Sequence, residues 1–206
     1  AIKPLLGDPS RSVQAAALFA AHQCGLEVDI SDLAGMLQSS NPTVRGNAVQ
    51  LVGMMGDPSA VPMLEDLATA RMPRVAPARQ AVVRFQFAEA MLKLGDNGPL
   101  DSVRAGAYSL YDEVRVLAVS ILGKIGDQEM EPSIRRLLES PPIQVRLAAA
   151  ESLARMGSAE GLAVMLKGAA FDELAVRTQA KAGLHELSEA QTAAFFEALL
   201  ADRQQR

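Results

Sequence analysis

The 206-residue chain contains no tryptophan, a single cysteine and two histidines, and aromatic residues make up only 4% of it. With one cysteine, Cys24, the chain cannot form an internal disulfide or a cysteine-based zinc site. The two histidines are too few for most metal-binding sites. The sequence also lacks an apolar run of about 18 residues, the length that a membrane span requires. We therefore expect no metal, no cofactor and no membrane insertion.

The charge balance argues against a broad nucleic-acid-binding surface. Twenty Lys and Arg residues face 24 Asp and Glu residues, which gives a net charge of -4, whereas such a surface needs an excess of positive charge. The sequence contains no phosphate-binding glycine loop, no nucleophile elbow and no His-Glu-x-x-His motif. We therefore predict no nucleic-acid partner and assign no catalytic residues.

The sequence contains an internal repeat. A Val-Arg dipeptide recurs with arginine spacings of 31 residues, apart from one spacing of 39, and a glycine follows eleven residues after most copies. An earlier copy has Gln in place of Arg. Six copies in one register indicate a repeat protein. The copies are Val13-Gln14, Val44-Arg45, Val83-Arg84, Val114-Arg115, Val145-Arg146 and Val176-Arg177.

Each copy has the apolar spacing of an amphipathic helix. We number positions from the arginine, so that Val114 is position -1 in the copy around Arg115. Positions -1, +3, +7 and +10 then share one helical face, and a glycine ends the helix. A second apolar set precedes each such helix, as in Ile134, Leu137 and Leu138. The repeat therefore predicts pairs of helices, and an all-α fold.

We expect residues 1–206 to form a single repeat domain. The chain starts at Ala1, at what reads as the end of a structural unit, so we also expect it to be a fragment of a longer chain. Second helices are predicted near 12–24, 42–55, 79–94, 112–125, 142–156 and 173–187, and a terminal helix near 189–202.

The string Val-Arg-x-x-Ala-x-x-x-Leu-x-x-Ile/Met-Gly, seen at 114–126 and 145–157, resembles the short bacterial HEAT-like repeats also found in phycobilin lyase subunits. The resemblance implies an α-solenoid, an α/α superhelix of about six helix pairs of the armadillo/HEAT class. It also implies that the second helices line the concave face, and that the repeated arginine braces the turn between the two helices. Proteins built from such repeats mostly serve as scaffolds for protein contacts.

Position +1 departs from the amphipathic pattern. It lies opposite the apolar stripe of the second helix, yet three successive copies place Phe85, Val116 and Leu147 there. Leu92, at position +8, extends the apolar set. Position +9 holds basic residues in the same copies: Lys93, Lys124 and Arg155. We predict that these residues form an exposed apolar stripe with a charged border, which suits a groove for a partner. The alternative is that curvature or a loop buries them.

The 39-residue spacing marks an insertion near residues 71–79. This segment carries two prolines, three arginines and no acidic residue. We predict a basic loop that contributes Arg74 and Arg79 to partner binding, because binding loops are commonly mounted on rigid scaffolds. The alternative is a tolerated surface insertion.

Together these features predict a non-catalytic, cytoplasmic scaffold that binds a protein or peptide partner on its concave face. A processed, exported chain is the alternative location. The alternative functions are a tetrapyrrole (phycobilin) lyase subunit or related accessory factor, and then a HEAT-like protein that binds nucleic acid.

Overall fold

The computed structural model describes residues 2–27, 31–170 and 174–185, together with Leu187 and Ala193. Throughout these residues, every regular element is a helix and no strand occurs. The predicted all-helical fold built from helix pairs is therefore confirmed.

The second helices begin and end within two residues of the predicted ranges, whereas the predicted helix near 189–202 falls outside the described residues. Short 3-10 helices occupy Lys3–Gly7, Pro58–Ala60, Gln128–Met130 and Leu137–Glu139. The α-helices of the described residues are α1 (Arg11–Gln23), α2 (Leu33–Leu37), α3 (Pro42–Met55), α4 (Val61–Ala68), α5 (Pro77–Lys93), α6 (Leu100–Gly106), α7 (Asp112–Ile125), α8 (Glu131–Arg136), α9 (Ile143–Arg155), α10 (Ala159–Ala169) and α11 (Leu174–His185).

The repeat glycines and capping residues fix where the helices end. Asn41 caps α3, because its Oδ1 atom accepts a hydrogen bond from the backbone N–H of Thr43 at 2.9 Å. The glycines that follow the second helices all adopt a positive φ, between 66° and 91°, which lets the chain leave the helix in the left-handed conformation. These glycines are Gly25, Gly56, Gly95, Gly126 and Gly157.

The chain divides into two compact units, Ala1–Leu100 and Asp101–Arg206. In the first unit, the second helices α1, α3 and α5 pack side by side, with α2 against α3 and α4 against α5. In the second unit, α7, α9 and α11 pack in the same manner, with α8 and α10 against α9, and α10 also against α11. The expectation of one domain over residues 1–206 stays a prediction.

Each unit has a core of mostly aliphatic side chains. Phe87 is the one aromatic side chain among the largest fully buried residues of the described chain. Leu and Met supply most of the rest, as expected from the low aromatic content. The first unit buries Met36, Leu37, Leu51 and Leu64, and the second buries Ile121, Leu122, Ile134, Leu153 and Met165.

Successive second helices approach each other closely at a small residue. In the second unit, a Cβ atom added to Gly123 of α7 would lie 2.6 Å from the Cα and Cβ atoms of Ser152 on α9. The Ser152 hydroxyl lies 2.8 Å from the carbonyl oxygen of Val119, to which it donates across the same contact. In the first unit, Gly53 of α3 lies against the backbone of Ala90 on α5 in the same way.

We predict that Gly123→Ala destabilises the second unit by about 1–3 kcal/mol, because the added methyl group overlaps the Ser152 backbone and the helices must separate. Urea denaturation measures this change. Gly35→Ala is the matched control. Its added Cβ would meet only the flexible end of the Arg11 side chain, at 3.4 Å, and we expect no loss of stability, or a gain of up to about 1 kcal/mol. Equal effects of the two substitutions would contradict the close approach.

Candidate functional site

Positions +1 and +8, which we expected on the exposed face, lie at the contact between successive second helices. A Cβ atom at Gly46, position +1 of α3, would overlap the side chain of Gln86 on α5. A Cβ atom at Gly53, position +8, would lie 2.8 Å from the Cα atom of Ala90. Because a central second helix has another second helix on each side, only a narrow arc of its surface stays exposed.

The prediction that Leu147 is exposed is wrong. Its side chain is 3% exposed and packs with Val176 and Ala180 of α11, with Ile143 and Ala169 at the edge of the cluster. Position +1 of α9 faces α11, so this helix covers the leucine. Leu147 therefore belongs to the core of the second unit and is unavailable to a partner.

The other predicted apolar residues keep part of their surface in water. Phe85 and Leu92 are half-buried on α5 in the first unit, and Val116 is half-buried on α7 in the second. The predicted stripe thus divides into short sections on separate units. Contact of these three residues with a partner stays a prediction.

The predicted basic row is partly neutralised by acidic residues one turn earlier. Lys93 pairs with Glu89, with 3.0 Å between Nζ and Oε1, and Arg155 pairs with Glu151, with 3.1 Å between Nη2 and Oε1. Lys124 is exposed. Because two of its three members sit in i,i+4 ion pairs, the row offers less positive charge than its composition suggests.

On α1 and α3 the exposed stripe lies instead at positions +2 and +5, and on α3 also at position +9. In α3 these positions hold the half-buried side chains of Asn47, Gln50 and Met54. In α1, position +2 is the exposed Ala16 and position +5 is the half-buried Phe19. These side chains, rather than those at +1 and +8, are the ones that face solvent between α1 and α3.

Between α1 and α3 this stripe contains a depression with a volume of about 150 Å³, lined by Ala16, Phe19, Asn47 and Gln50. Phe19 and Ala16 provide apolar surface. Asn47 and Gln50 each carry a carboxamide, which both donates and accepts hydrogen bonds. Neither carboxamide has a hydrogen-bond partner among the residues that the structure describes. The depression can therefore accept a ligand that presents apolar and amide groups together.

Sequence reasoning missed this depression, although a signal for it is present. Gly46, Gly53 and Gly123 occur inside helices, at positions +1 and +8. A glycine inside a helix usually has a packing reason, and these glycines mark the side on which the next second helix lies. The large apolar residues alone place positions +1 and +8 on the exposed side of the helix. The glycines show that the neighbouring second helix covers that side.

The insertion forms the connection between α4 and α5, residues 69–76, and it is anchored in the core. Met72 is 3% exposed and lines a small cavity together with Val83 and Phe87. The predicted extent of the loop, to residue 79, is wrong, because Arg79 lies in the first turn of α5. Its Nη2 atom donates a hydrogen bond to the Thr43 hydroxyl at 3.2 Å.

The repeated arginine braces the turn between paired helices, as the resemblance implied, in two copies, and in a third it pairs with the first residue of its own helix. Arg45 donates to the carbonyl oxygens of Ser39 and Gln38, at 3.0 and 3.2 Å. Arg146 donates to two carbonyl oxygens of the equivalent turn, and Arg115 pairs with the carboxylate three residues before it. Burial lowers the pKa of the Arg45 guanidinium below its ordinary value. These arginines therefore support the scaffold.

Two further observations concern the described part of the chain. None of its helices is long and apolar enough to cross a membrane. Among the same residues, no three His, Cys, Asp or Glu side chains come close enough together to hold a metal ion.

We predict that Leu147→Ala destabilises the second unit by about 2–5 kcal/mol, because it leaves a cavity beside Val176 and Ala180. Thermal and urea denaturation measure the loss. Leu110→Ala is the matched control: Leu110 is 96% exposed, and we expect a change of less than about 0.5 kcal/mol. A Leu147→Ala variant as stable as the control would show that Leu147 is at the surface after all.

Comparison with known proteins identifies the family of this chain. A human deoxyhypusine hydroxylase structure, in complex with glycerol, is similar to this chain at 18% sequence identity and a TM-score of 0.41; the similarity covers 89% of this chain and 82% of that one. A search of curated proteins gives no match. The family pattern of HEAT repeats matches residues 1–82 and 106–185. The chain therefore belongs to the HEAT repeat family.

Proposed function

We propose that this protein is a non-catalytic scaffold that binds an extended segment of a partner protein along the exposed stripe of its first unit. The observation that carries the proposal is the depression between α1 and α3, where Phe19 adjoins the carboxamides of Asn47 and Gln50. The proposal is also supported by the chain's membership of the HEAT repeat family, because HEAT repeats generally act as protein-interaction scaffolds.

The chemistry of the depression suits a peptide main chain. A peptide group has one donor and one acceptor, and so has a carboxamide, so each can satisfy the other without a charged group. An apolar side chain of the segment would lie against Phe19. Packed helices lie about 8–10 Å apart, and an extended chain advances about 3.3 Å per residue, so every third residue of the segment would reach the next helix.

The position of Gln86 extends this surface towards α5. Its side chain lies against Gly46 of α3, and its Oε1 atom is buried without a hydrogen-bond partner in the described structure. A hydrogen bond from a ligand to a buried acceptor of this kind stabilises the complex, because the acceptor is otherwise unsatisfied. The proposed segment would thus run from α1 across α3 towards α5. A cytoplasmic location stays a prediction from the sequence.

The test is selection of binding peptides from a random displayed library, followed by affinity measurement with the double variant Asn47→Ala/Gln50→Ala. We expect binding about tenfold weaker or more, because two hydrogen bonds are lost. The unfolding midpoint should stay unchanged, since neither carboxamide has a partner in the described part of the chain.

The matched control is Gln128→Ala/Gln144→Ala, which removes two exposed carboxamides from the second unit and should leave affinity within about twofold. Selected peptides that bind the Asn47→Ala/Gln50→Ala variant as tightly as the original protein would overturn the proposal. So would a library that yields no binding peptide.

A further inference from the structure

Four arginines surround the insertion between α4 and α5, and we call them the insertion arginines: Arg71, Arg74, Arg79 and Arg84. Arg71, Arg74 and Arg84 are exposed, and Arg79 is half-buried. None of the four has a carboxylate partner within the described residues. A group of guanidinium ions without counter-charges is unusual on a chain whose net charge is -4.

The fold brings these arginines to one edge of the first unit. Arg84 lines a small cavity together with Ala70 and Met72 of the insertion and with Arg45 of α3. Arg79 reaches the same helix, where it donates to the Thr43 hydroxyl. The insertion and the first turns of α3 and α5 therefore share this edge. Arg45, which is 6% exposed, adds a buried positive charge that is bonded only to carbonyl oxygens among the described residues.

The backbone holds Arg74 in a strained conformation. Its φ of 68° makes it the one non-glycine residue of the described chain in the left-handed region. Two contacts keep the turn in place: the buried Met72 anchors one side, and Gln80 Nε2 donates to the Val75 carbonyl oxygen at 2.8 Å on the other. Strained backbone at a non-glycine residue is found most often at functional sites, which makes Arg74 a candidate binding residue.

Arginines of the second unit have the carboxylate partners that the insertion arginines lack. Four of them are paired with carboxylates on the same or a neighbouring element. Arg104 is the clearest case, since it binds Asp127 through two nitrogens at 2.7 and 3.0 Å, and this hydrogen bonding raises the pKa of Arg104. The other three are Arg115 with Asp112, Arg135 with Glu131 and Glu160, and Arg155 with Glu151.

We infer that the insertion arginines form a docking site for an acidic, Asp- or Glu-rich segment of a partner protein. Guanidinium forks match carboxylates in geometry and in charge. The first turn of α5 contains no acidic residue and its N-cap, Ala76, offers no capping side chain, so the helix end adds to the positive potential. The patch occupies one edge of an acidic chain, and this favours a short acidic segment over the long phosphate backbone of a nucleic acid.

This site shares no lining residue with the depression between α1 and α3, so each proposal can be tested independently of the other. The probe is a fluorescein-labelled peptide of alternating glutamate and serine, and its binding to the whole protein is followed by fluorescence anisotropy. We expect saturable binding that weakens as NaCl rises from about 50 to about 300 mM. The same peptide with glutamine in place of glutamate should not bind.

The decisive variant is Arg71→Ala/Arg74→Gly/Arg84→Ala. We expect binding about tenfold weaker, because three exposed guanidinium–carboxylate contacts are lost. The Arg74→Gly change also relieves the strained φ, so thermal stability should stay equal or rise. The matched control, Arg136→Ala/Lys167→Ala/Lys181→Ala, removes the same charge from exposed positions of the second unit and should change affinity by less than about twofold.

Three outcomes would overturn the inference. One is failure of the glutamate peptide to bind, and another is an equal loss of binding in the decisive and control variants, which would indicate a general charge effect. The third is tighter binding of a short DNA duplex that displaces the peptide, which would make the patch a nucleic-acid surface. Unchanged peptide binding by Asn47→Ala/Gln50→Ala would confirm that this site is independent of the depression.

Discussion

The close approach of successive second helices is the constraint on which the rest of the structure depends. Gly53 meets the backbone of Ala90 in the first unit, and Gly123 meets Ser152 in the second. This contact decides which side of each second helix is covered by its neighbour. On α3 it consequently decides which residues remain for a partner: those at positions +2, +5 and +9, and not those at +1 or +8. Leu147 is core, and Asn47 and Gln50 face solvent, for this one reason.

The repeat in the sequence predicted the helices well because their limits depend on local chemistry. A glycine with positive φ follows five of the second helices, α1, α3, α5, α7 and α9, and Asn41 caps α3, so the signals lie within a few residues of the boundaries they set. The bracing role of Arg45 and Arg146 was also predictable, because each contacts the turn just before its own helix.

The exposed face was harder to predict because it depends on contacts between different repeats. When α9 is considered alone, Leu147 is an apolar residue on the side that should face solvent. Its burial is explained by α11, which packs over it. The depression beside Phe19 likewise needs both α1 and α3. The insertion illustrates the same limit: its basic composition was evident, but the burial of Met72 and the strained φ of Arg74 come from packing that composition does not encode.

Cysteine accessibility tests the central claim most directly. In a Cys24→Ser background, single cysteines are placed at Ala154, position +8 of α9 and 4% exposed, and at Gln50, position +5 of α3. The rate of thiol labelling under native conditions then reports which position is covered. The account predicts that the cysteine at 50 reacts at least about tenfold faster than the one at 154. Equal rates, or faster labelling at 154, would contradict the packing described here.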